Sequence, residues 1–294
     1  MISLIVPTIN RVAELGALLT SLARQSHTDF EIIVIDQNPD DRLMSLLLKH
    51  QSLTIRHLRC ERGVSRARNV GLQAAKGDII AIPDDDCWYP DQLLAEVNHW
   101  FEKHSEYDVL FTGMRNEYNK RMAPKWAPGT CRCTKENIWH CVGSITAFLR
   151  ARVVRTVGLF NEDIGPGTAS KFQSGEDIDY LIRPLEHGFQ MWYEPSMTVH
   201  HPKLDSVERL RAKTYPYALG VGYVLRTHRY SWWYLGKILM RSLGGAVLNF
   251  CKADLPLARI YFFRAVGQLQ GYTLGPRDVG RQPKPPVRNM ADTL

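Results

Sequence analysis

Paired cysteine motifs are the first thing this chain lacks. Its 294 residues include six cysteines, Cys60, Cys87, Cys131, Cys133, Cys141 and Cys251, with no CxxC pair among them. No positively charged leader precedes an apolar cleavable segment at Met1. Both absences argue against a disulfide scaffold and lead to the expectation of a reducing, cytosolic compartment. Cys131-Arg132-Cys133 with His140 and Cys141 offers only half a zinc site at an atypical spacing, which ordinary buried or loop thiols explain better. The C-terminal third contains no uninterrupted apolar run approaching the roughly 20 residues that a bilayer span needs. It also carries no recognisable nucleic-acid-binding motif, so no nucleic-acid partner is expected.

What is present suits a substantial soluble protein. A chain that is 45% hydrophobic over this length can bury one large core, or one core with an appended subdomain. The net charge of +7 is unevenly spread: residues 203–294 hold 15 Lys/Arg against 5 Asp/Glu, leaving the first 202 residues at −3. The basic third also gathers Trp232, Trp233, Tyr234, Tyr261, Phe262 and Phe263.

In the N-terminal part, apolar runs alternate with helical patterns. The runs are Ile2–Val6, Glu31–Ile35, the shorter Leu53–Ile55, and Ile79–Ile82. Between them fall Leu15, Leu18, Leu19 and Leu22, then Leu43, Leu46 and Leu47, then Val64 to Ala75, at spacings that suit amphipathic helices. This alternation predicts an α/β fold with a mostly parallel sheet flanked by helices. Ligands in such sheets bind beyond the carboxyl ends of the strands. Polar residues stand at three of those ends: Pro7-Thr8-Ile9-Asn10-Arg11, Asp36-Gln37-Asn38 and Asp84-Asp85-Asp86. Thr8 and Asn10 suit helix caps as well as ligand contacts. Asp36, closing a β-branched run, has less reason to be there for packing.

The acidic triplet follows a buried-strand pattern and concentrates negative charge at a sheet edge, where a divalent cation would resolve it. A metal-diphosphate site and a solvated acidic turn leading into a helix at Trp88-Tyr89-Pro90-Asp91 both remain open on these residues alone. A second acidic group, Gly175-Glu176-Asp177-Ile178-Asp179, precedes an apolar helical segment and reads either as catalytic carboxylates or as an acidic first turn that favours the helix dipole.

Taken together, these motifs resemble the nucleotide-sugar glycosyltransferases of family 2, which have the GT-A (Rossmann-like) fold. The resemblance rests on Ile5-Val6-Pro7-Thr8-Ile9-Asn10-Arg11, Ile33-Val34-Ile35-Asp36, Gly63 to Gly71, Lys76-Gly77-Asp78 leading into the triplet, Val157 to Glu162, Gly165-Pro166-Gly167 and Ser174 to Asp179, in the family's order over residues 1 to about 201. It implies that Asp36 grips the base and ribose, with Thr8 beside it, Arg68 closing the pocket, and Pro7, Asn10 and Arg11 on the same rim. Gln37 stands where the family more often has a second acid. The resemblance further implies Asp84 near the ribose, Asp85 beside it and Asp86 on the metal, although the triplet can be registered two ways. The metal is expected to be Mn²⁺ or Mg²⁺, with His200 or His201 near it, and His201 taken as the ligand. Asp177 is implied as the base of an inverting transfer, Glu176 as its neighbour at the acceptor, and Gly167 as part of a loop bordering the acceptor site. Arg183 suits a phosphate contact or a pairing with Glu186, and the pairing is expected.

The C-terminal third resembles the membrane-associating appendage of such transferases. Trp232, Leu235, Leu239, Leu243, Ala246 and Phe250 recur on one helical face, with Lys237, Arg241 and Lys252 opposite, and Leu255, Ala258, Phe262, Val266 and Leu269 continue the pattern. Packing on the catalytic domain and burial in a membrane interface compete for these stripes, and the basic excess favours an anionic membrane surface.

The expected organisation is a catalytic domain at 1–202, with a nucleotide-sugar-binding half at 1–110 and an acceptor-binding half at 111–202. An amphipathic helical extension at 203–275 and a flexible tail at 276–294 follow. The expected activity is metal-dependent transfer of a sugar, UDP-sugar favoured, to a hydroxyl of a lipid-linked or polysaccharide acceptor at the cytoplasmic face of the membrane. A non-catalytic nucleotide-sugar-binding scaffold and a processive polysaccharide synthase are the alternatives.

Overall fold

The computed structural model describes residues 1–121, 126–202 and 207–274; the tail expected at 276–294 lies outside them. An eight-stranded sheet runs in the order β3-β2-β1-β4-β7-β5-β8-β6. Its first half is parallel: β1 (Ile2–Thr8) lies between β2 (Phe30–Asp36) and β4 (Ile79–Ala81), and β3 (Ile55–Arg59) pairs with β2. In the second half β5 (Val109–Arg115) is parallel to β8 (Met191–His200), while β7 (Ala147–Arg150) and β6 (Cys131–Arg132) run antiparallel to their neighbours.

Side-chain alternation in the central strands supplies both faces of the core. Ile5, Ile33 and Ile35 belong to one buried cluster, and Leu4, Val6, Ile32 and Val34 belong to the other. Helix α1 (Val12–Leu22) buries Leu15, Leu18, Leu19 and Leu22, the stripe its sequence predicts. Helices α2 (Met44–Lys49) and α3 (Val64–Ala74) complete the first half. Pro7 fits within β1 because β4 pairs only as far as Leu4 opposite Ala81, so no ladder bond is lost on that side.

The third strand differs from its expected position at Leu53–Ile55: β3 begins at Ile55 and continues through Arg56, His57 and Leu58 to Arg59. It is an edge strand, and its half-exposed polar residues conceal it from a search for apolar runs.

The second half adds α4 (Leu93–Lys103), α5 (Ala151–Val157) and α6 (Glu176–Glu186), followed by the long helices α7 (Val207–Thr227), α8 (Trp232–Cys251) and α9 (Leu255–Leu274). Helix α7 backs onto the segment preceding α6 at very short range. A Cβ on Gly220 would lie 2.1 Å from the Ser174 carbonyl oxygen, so only glycine permits the approach. The apolar stripe of α8 is split between core and surface, Leu235 and Leu239 packing inward. Trp232, Leu243 and Phe250 are exposed, whereas Leu235 and Ser242 form the buried line. Among the described residues no helix is long and apolar enough to cross a membrane.

Candidate active site

The carboxyl ends of the parallel strands bring the sequence-marked residues to one rim. Thr8 and Asp36 are register partners at the ends of β1 and β2. Asp36 is buried and fully engaged: Oδ1 accepts from the Asn38 amide at 2.8 Å and Asn38 Nδ2 at 2.7 Å, and Oδ2 meets His57 Nε2 at 2.9 Å. Asn10 has a left-handed backbone with φ of 59°, its amide donates to Asn38 Oδ1 at 2.7 Å, and its side chain accepts from Arg42. Gln37, in place of a second acid, accepts from the Gly63 amide and so ties the start of α3 to the rim.

The triplet divides its tasks. Arg11 Nη1 reaches Asp85 Oδ1 at 2.9 Å and Asp86 Oδ2 at 2.5 Å. Burial pushes the Asp85 carboxyl up to about 6 against the nearby Thr8 hydroxyl and the charge of Arg11. Asp84 faces the other way, toward Arg68. That arginine is 3% exposed, and its guanidinium contacts Glu176 Oε1 at 3.1 Å, Ser144 Oγ at 3.3 Å and Asp84 Oδ1 at 3.6 Å. Arg68 on α3 therefore joins the two acidic centres, which the sequence separates by about 90 residues.

Gly175, left-handed at φ 97°, turns the chain into α6 and puts Glu176 and Asp177 in its first turn, where the helix dipole favours negative charge. Asp177 is half-buried, and its Oδ1 accepts from the Ile178 amide at 2.8 Å. Glu176 is buried beneath it. Gly165, rather than Gly167, is the glycine beside Glu176, since a Cβ there would come within 2.9 Å of the Glu176 side chain; Gly167 lies against Gly63.

Burial, then the charge of Asp177, push the Glu176 carboxyl up to about 7 despite Arg68. Because the ordinary value is 4.5, native Glu176 keeps a proton that the unfolded chain releases between pH 4.5 and 7. Stability is therefore expected to fall as pH rises through that window, and Asp85 contributes with the same sign up to about pH 6. Melting curves of the natural chain and Glu176→Gln from pH 4.5 to 7.5 check this: the variant should have the shallower slope, and equal slopes would contradict the assignment.

The donor set at Asp86 fits a divalent cation. Asp86 Oδ1 is buried without a hydrogen bond, 3.2 Å from His201 Nε2. Asp86, Cys87 and His201 offer ligand atoms all within 4.8 Å of one another. His201, not His200, faces the acid; His200 pairs through its backbone with Trp88 and packs its ring on that indole.

Arg183 corrects one expectation. It pairs with Asp179 one turn back and donates to the Leu159 carbonyl at 2.6 Å, whereas Glu186 lies near His228 and Lys135. The deeply buried Asp179 needs the compensation that the more exposed Glu186 obtains elsewhere. Cys131 and Cys141 have sulfurs 3.6 Å apart, and all six cysteines are free.

The partners of the predicted residues, namely His57, Ser144, Cys87 and His228, escaped the sequence reading, whereas Asn38 stood in the polar end Asp36-Gln37-Asn38. Only Asn38 carried a local signal, an Asp-x-Asn turn in which the acid accepts from the amide two residues on.

Comparison with known proteins gives the same family. The family model for glycosyl transferase family 2 matches residues 3–153. An uncharacterized glycosyltransferase of Haemophilus influenzae is 37% identical over 204 residues, covering 67% of this chain and 64% of that protein. The chain spans less than two thirds of the length of this and the next curated relatives it matches. Among solved structures, Staphylococcus aureus TarS 1–349 in complex with UDP-GlcNAc superposes with a TM-score of 0.60 at 18% identity, covering 91% of this chain and 92% of that one. A mannosyltransferase of Pyrobaculum calidifontis in complex with GDP-Man and Mn²⁺ gives 0.63 at 17% identity, covering 91% and 86%. At these identities the superpositions establish the GT-A fold.

Proposed function

The chain belongs to glycosyl transferase family 2, and from that premise we propose that it moves a sugar from a nucleotide-diphosphate donor, UDP-sugar favoured, to a hydroxyl of a lipid-linked or polysaccharide acceptor with inversion. The carrying observation is Arg68, held within 3.6 Å of Asp84 and 3.1 Å of Glu176, because it links a donor-side acid to an acceptor-side acid across one cleft. Binding alone would not require Asp177 beside that pair.

In this reading Pro7, Thr8, Asn10 and Asp36 hold the nucleotide, Asp84 and Asp85 the ribose side, and Arg11 the diphosphate side. Glu176 and the Gly165-Pro166-Gly167 loop shape the acceptor site. Asp177 takes the proton of the acceptor hydroxyl as its oxygen bonds to the anomeric carbon, and the bond from that carbon to the diphosphate oxygen breaks on the opposite face. Mn²⁺ or Mg²⁺ at Asp86 and His201 would supply positive charge to the departing diphosphate. The nucleotide complexes of TarS and the Mn²⁺ complex of the mannosyltransferase support a nucleotide-sugar donor and a divalent cation by analogy of fold. Calorimetry of UDP with and without Mn²⁺ tests this assignment: tighter binding with the cation is expected, and equal affinity would count against it.

The domain division follows the same reading, with 1–110 serving the donor, 111–202 the acceptor, and 203–275 attaching the enzyme peripherally to an anionic cytoplasmic membrane surface. Trp232, Trp233 and Phe250, each at least 60% exposed, support that attachment, with Lys237 and Arg241 exposed on the same helix. Flotation with phosphatidylglycerol vesicles should recover the chain at low salt and less of it at high salt. The pair Lys237→Glu and Arg241→Glu should weaken recovery, and a wholly soluble natural chain at low salt would refute the membrane assignment.

A further inference from the structure

Cys87 is the one member of the Asp86, Cys87 and His201 group that a sugar-transfer site of carboxylates and phosphates does not call for. Two local features bring it there. The Cys87 amide donates to the Asp84 carbonyl at 3.1 Å, closing a tight turn, and the Cys87 sulfur, buried at the edge of the apolar cluster, lies within 4.8 Å of the Asp86 and His201 ligand atoms. The next residue, Trp88, exchanges backbone hydrogen bonds with His200 at 3.0 Å in each direction, which fixes His201 opposite residues 86 and 87.

The histidine is set up to receive a cation. His201 Nδ1 lies 2.7 Å from the Pro202 carbonyl oxygen, which can only accept, so Nδ1 is committed to that hydrogen bond and Nε2 is the ring nitrogen that faces Asp86, 3.2 Å from its Oδ1. Asp86 Oδ2 is held by Arg11, leaving the buried Oδ1 without a hydrogen bond on the histidine side.

We propose that Cys87 is a third protein ligand of the donor-site cation, giving a mixed carboxylate, imidazole and thiolate set that selects a borderline cation such as Co²⁺ or Zn²⁺ over Mg²⁺. The proposal rests on the reading of Asp86 and His201 as the cation site for a nucleotide donor. Mg²⁺ demands oxygen ligands in near-octahedral array and gains nothing from sulfur, whereas thiolate and imidazole together favour the later divalent metals. On coordination the thiol proton passes to solvent and the sulfur binds as thiolate.

Co²⁺ is the probe, added to the full chain with UDP present. Thiolate-to-cobalt charge transfer should appear in the near-ultraviolet, and X-ray absorption of the Zn²⁺-loaded chain should show one sulfur at about 2.3 Å beside nitrogen and oxygen at about 2.0–2.2 Å. Both sulfur signatures should disappear in Cys87→Ser, and excess Mg²⁺ should fail to displace Co²⁺ from the natural chain. UDP-dependent Co²⁺ binding with only nitrogen and oxygen neighbours would overturn the role of Cys87 while leaving the donor site standing. A sulfur signature that persists in Cys87→Ser would put the metal on the Cys131, Cys133 and Cys141 thiols and overturn it equally. The X-ray measurement on the natural chain decides the matter even if the variant fails to fold.

Discussion

Replacing Asp177 with asparagine should lower turnover by roughly 10² to 10⁴ while leaving donor affinity nearly unchanged. The substitution keeps the size and hydrogen-bonding reach of the side chain, including its acceptance from the Ile178 amide, and removes only its capacity to take a proton. Asp177 sits in the first turn of α6, half-buried, whereas its neighbour Glu176 is buried and bound to Arg68. In the proposed mechanism that division would give Asp177 access to an incoming hydroxyl and leave Glu176 to the support of the site. Single-turnover transfer rates and donor titrations on the variant separate the two quantities. A large loss of donor affinity with intact turnover would move the base elsewhere.

Arg68→Ala should be the most damaging single change to the fold around the site. The guanidinium is nearly inaccessible and compensates Glu176 and Asp84 while also lying over the Phe160 ring. Removing one partner of a buried pair leaves the other charge uncompensated at a cost of about 3–5 kcal/mol, equivalent to a melting point lower by about 10 °C. Because Glu176 keeps its proton up to about pH 7, the penalty should shrink at pH 5.5 and grow at pH 8. Adding Glu176→Gln should recover part of the loss at pH 8. Melting points of the single and double variants at the two pH values provide the check, and a pH-independent penalty would separate Arg68 from Glu176.

The parts of this architecture that were legible in sequence are those where one residue's surroundings repeat along the chain. The β-branched runs of β1 and β2 and the leucine stripe of α1 announce strands and a helix because their neighbours in space are set by the period of the element itself. The rim residues Thr8, Asp36 and Asp84 to Asp86 stood out because acids and hydroxyls at strand ends have little packing purpose. The edge strand β3 was displaced because half-exposed positions admit Arg56 and His57 as readily as apolar residues. Long-range pairing left no such trace. Nothing local in Arg68 indicates that it reaches Glu176, 108 positions away, and nothing in Cys87 points to His201. Arg183 was misassigned because helix spacing allows both Glu186 and Asp179, and the choice depends on which acid the fold buries. The amphipathic pattern of α8 was real, but periodicity identifies a face without saying what covers it. The buried line through Leu235 and Ser242 turned the Trp232, Leu243 and Phe250 edge outward.

The most direct measurement is a panel of nucleotide sugars presented to the full chain with and without Mn²⁺, read by melting point and by release of nucleoside diphosphate. A ligand that binds only the native state raises its melting point in proportion to occupancy. One class of donor, UDP-sugars first among them, should stabilise the chain only when the cation is present and should be hydrolysed slowly to its nucleoside diphosphate, with hydrolysis lost in Asp177→Asn. If no nucleotide sugar shifts the melting point or releases its diphosphate under either condition, the cleft joined by Arg68 is not a donor site.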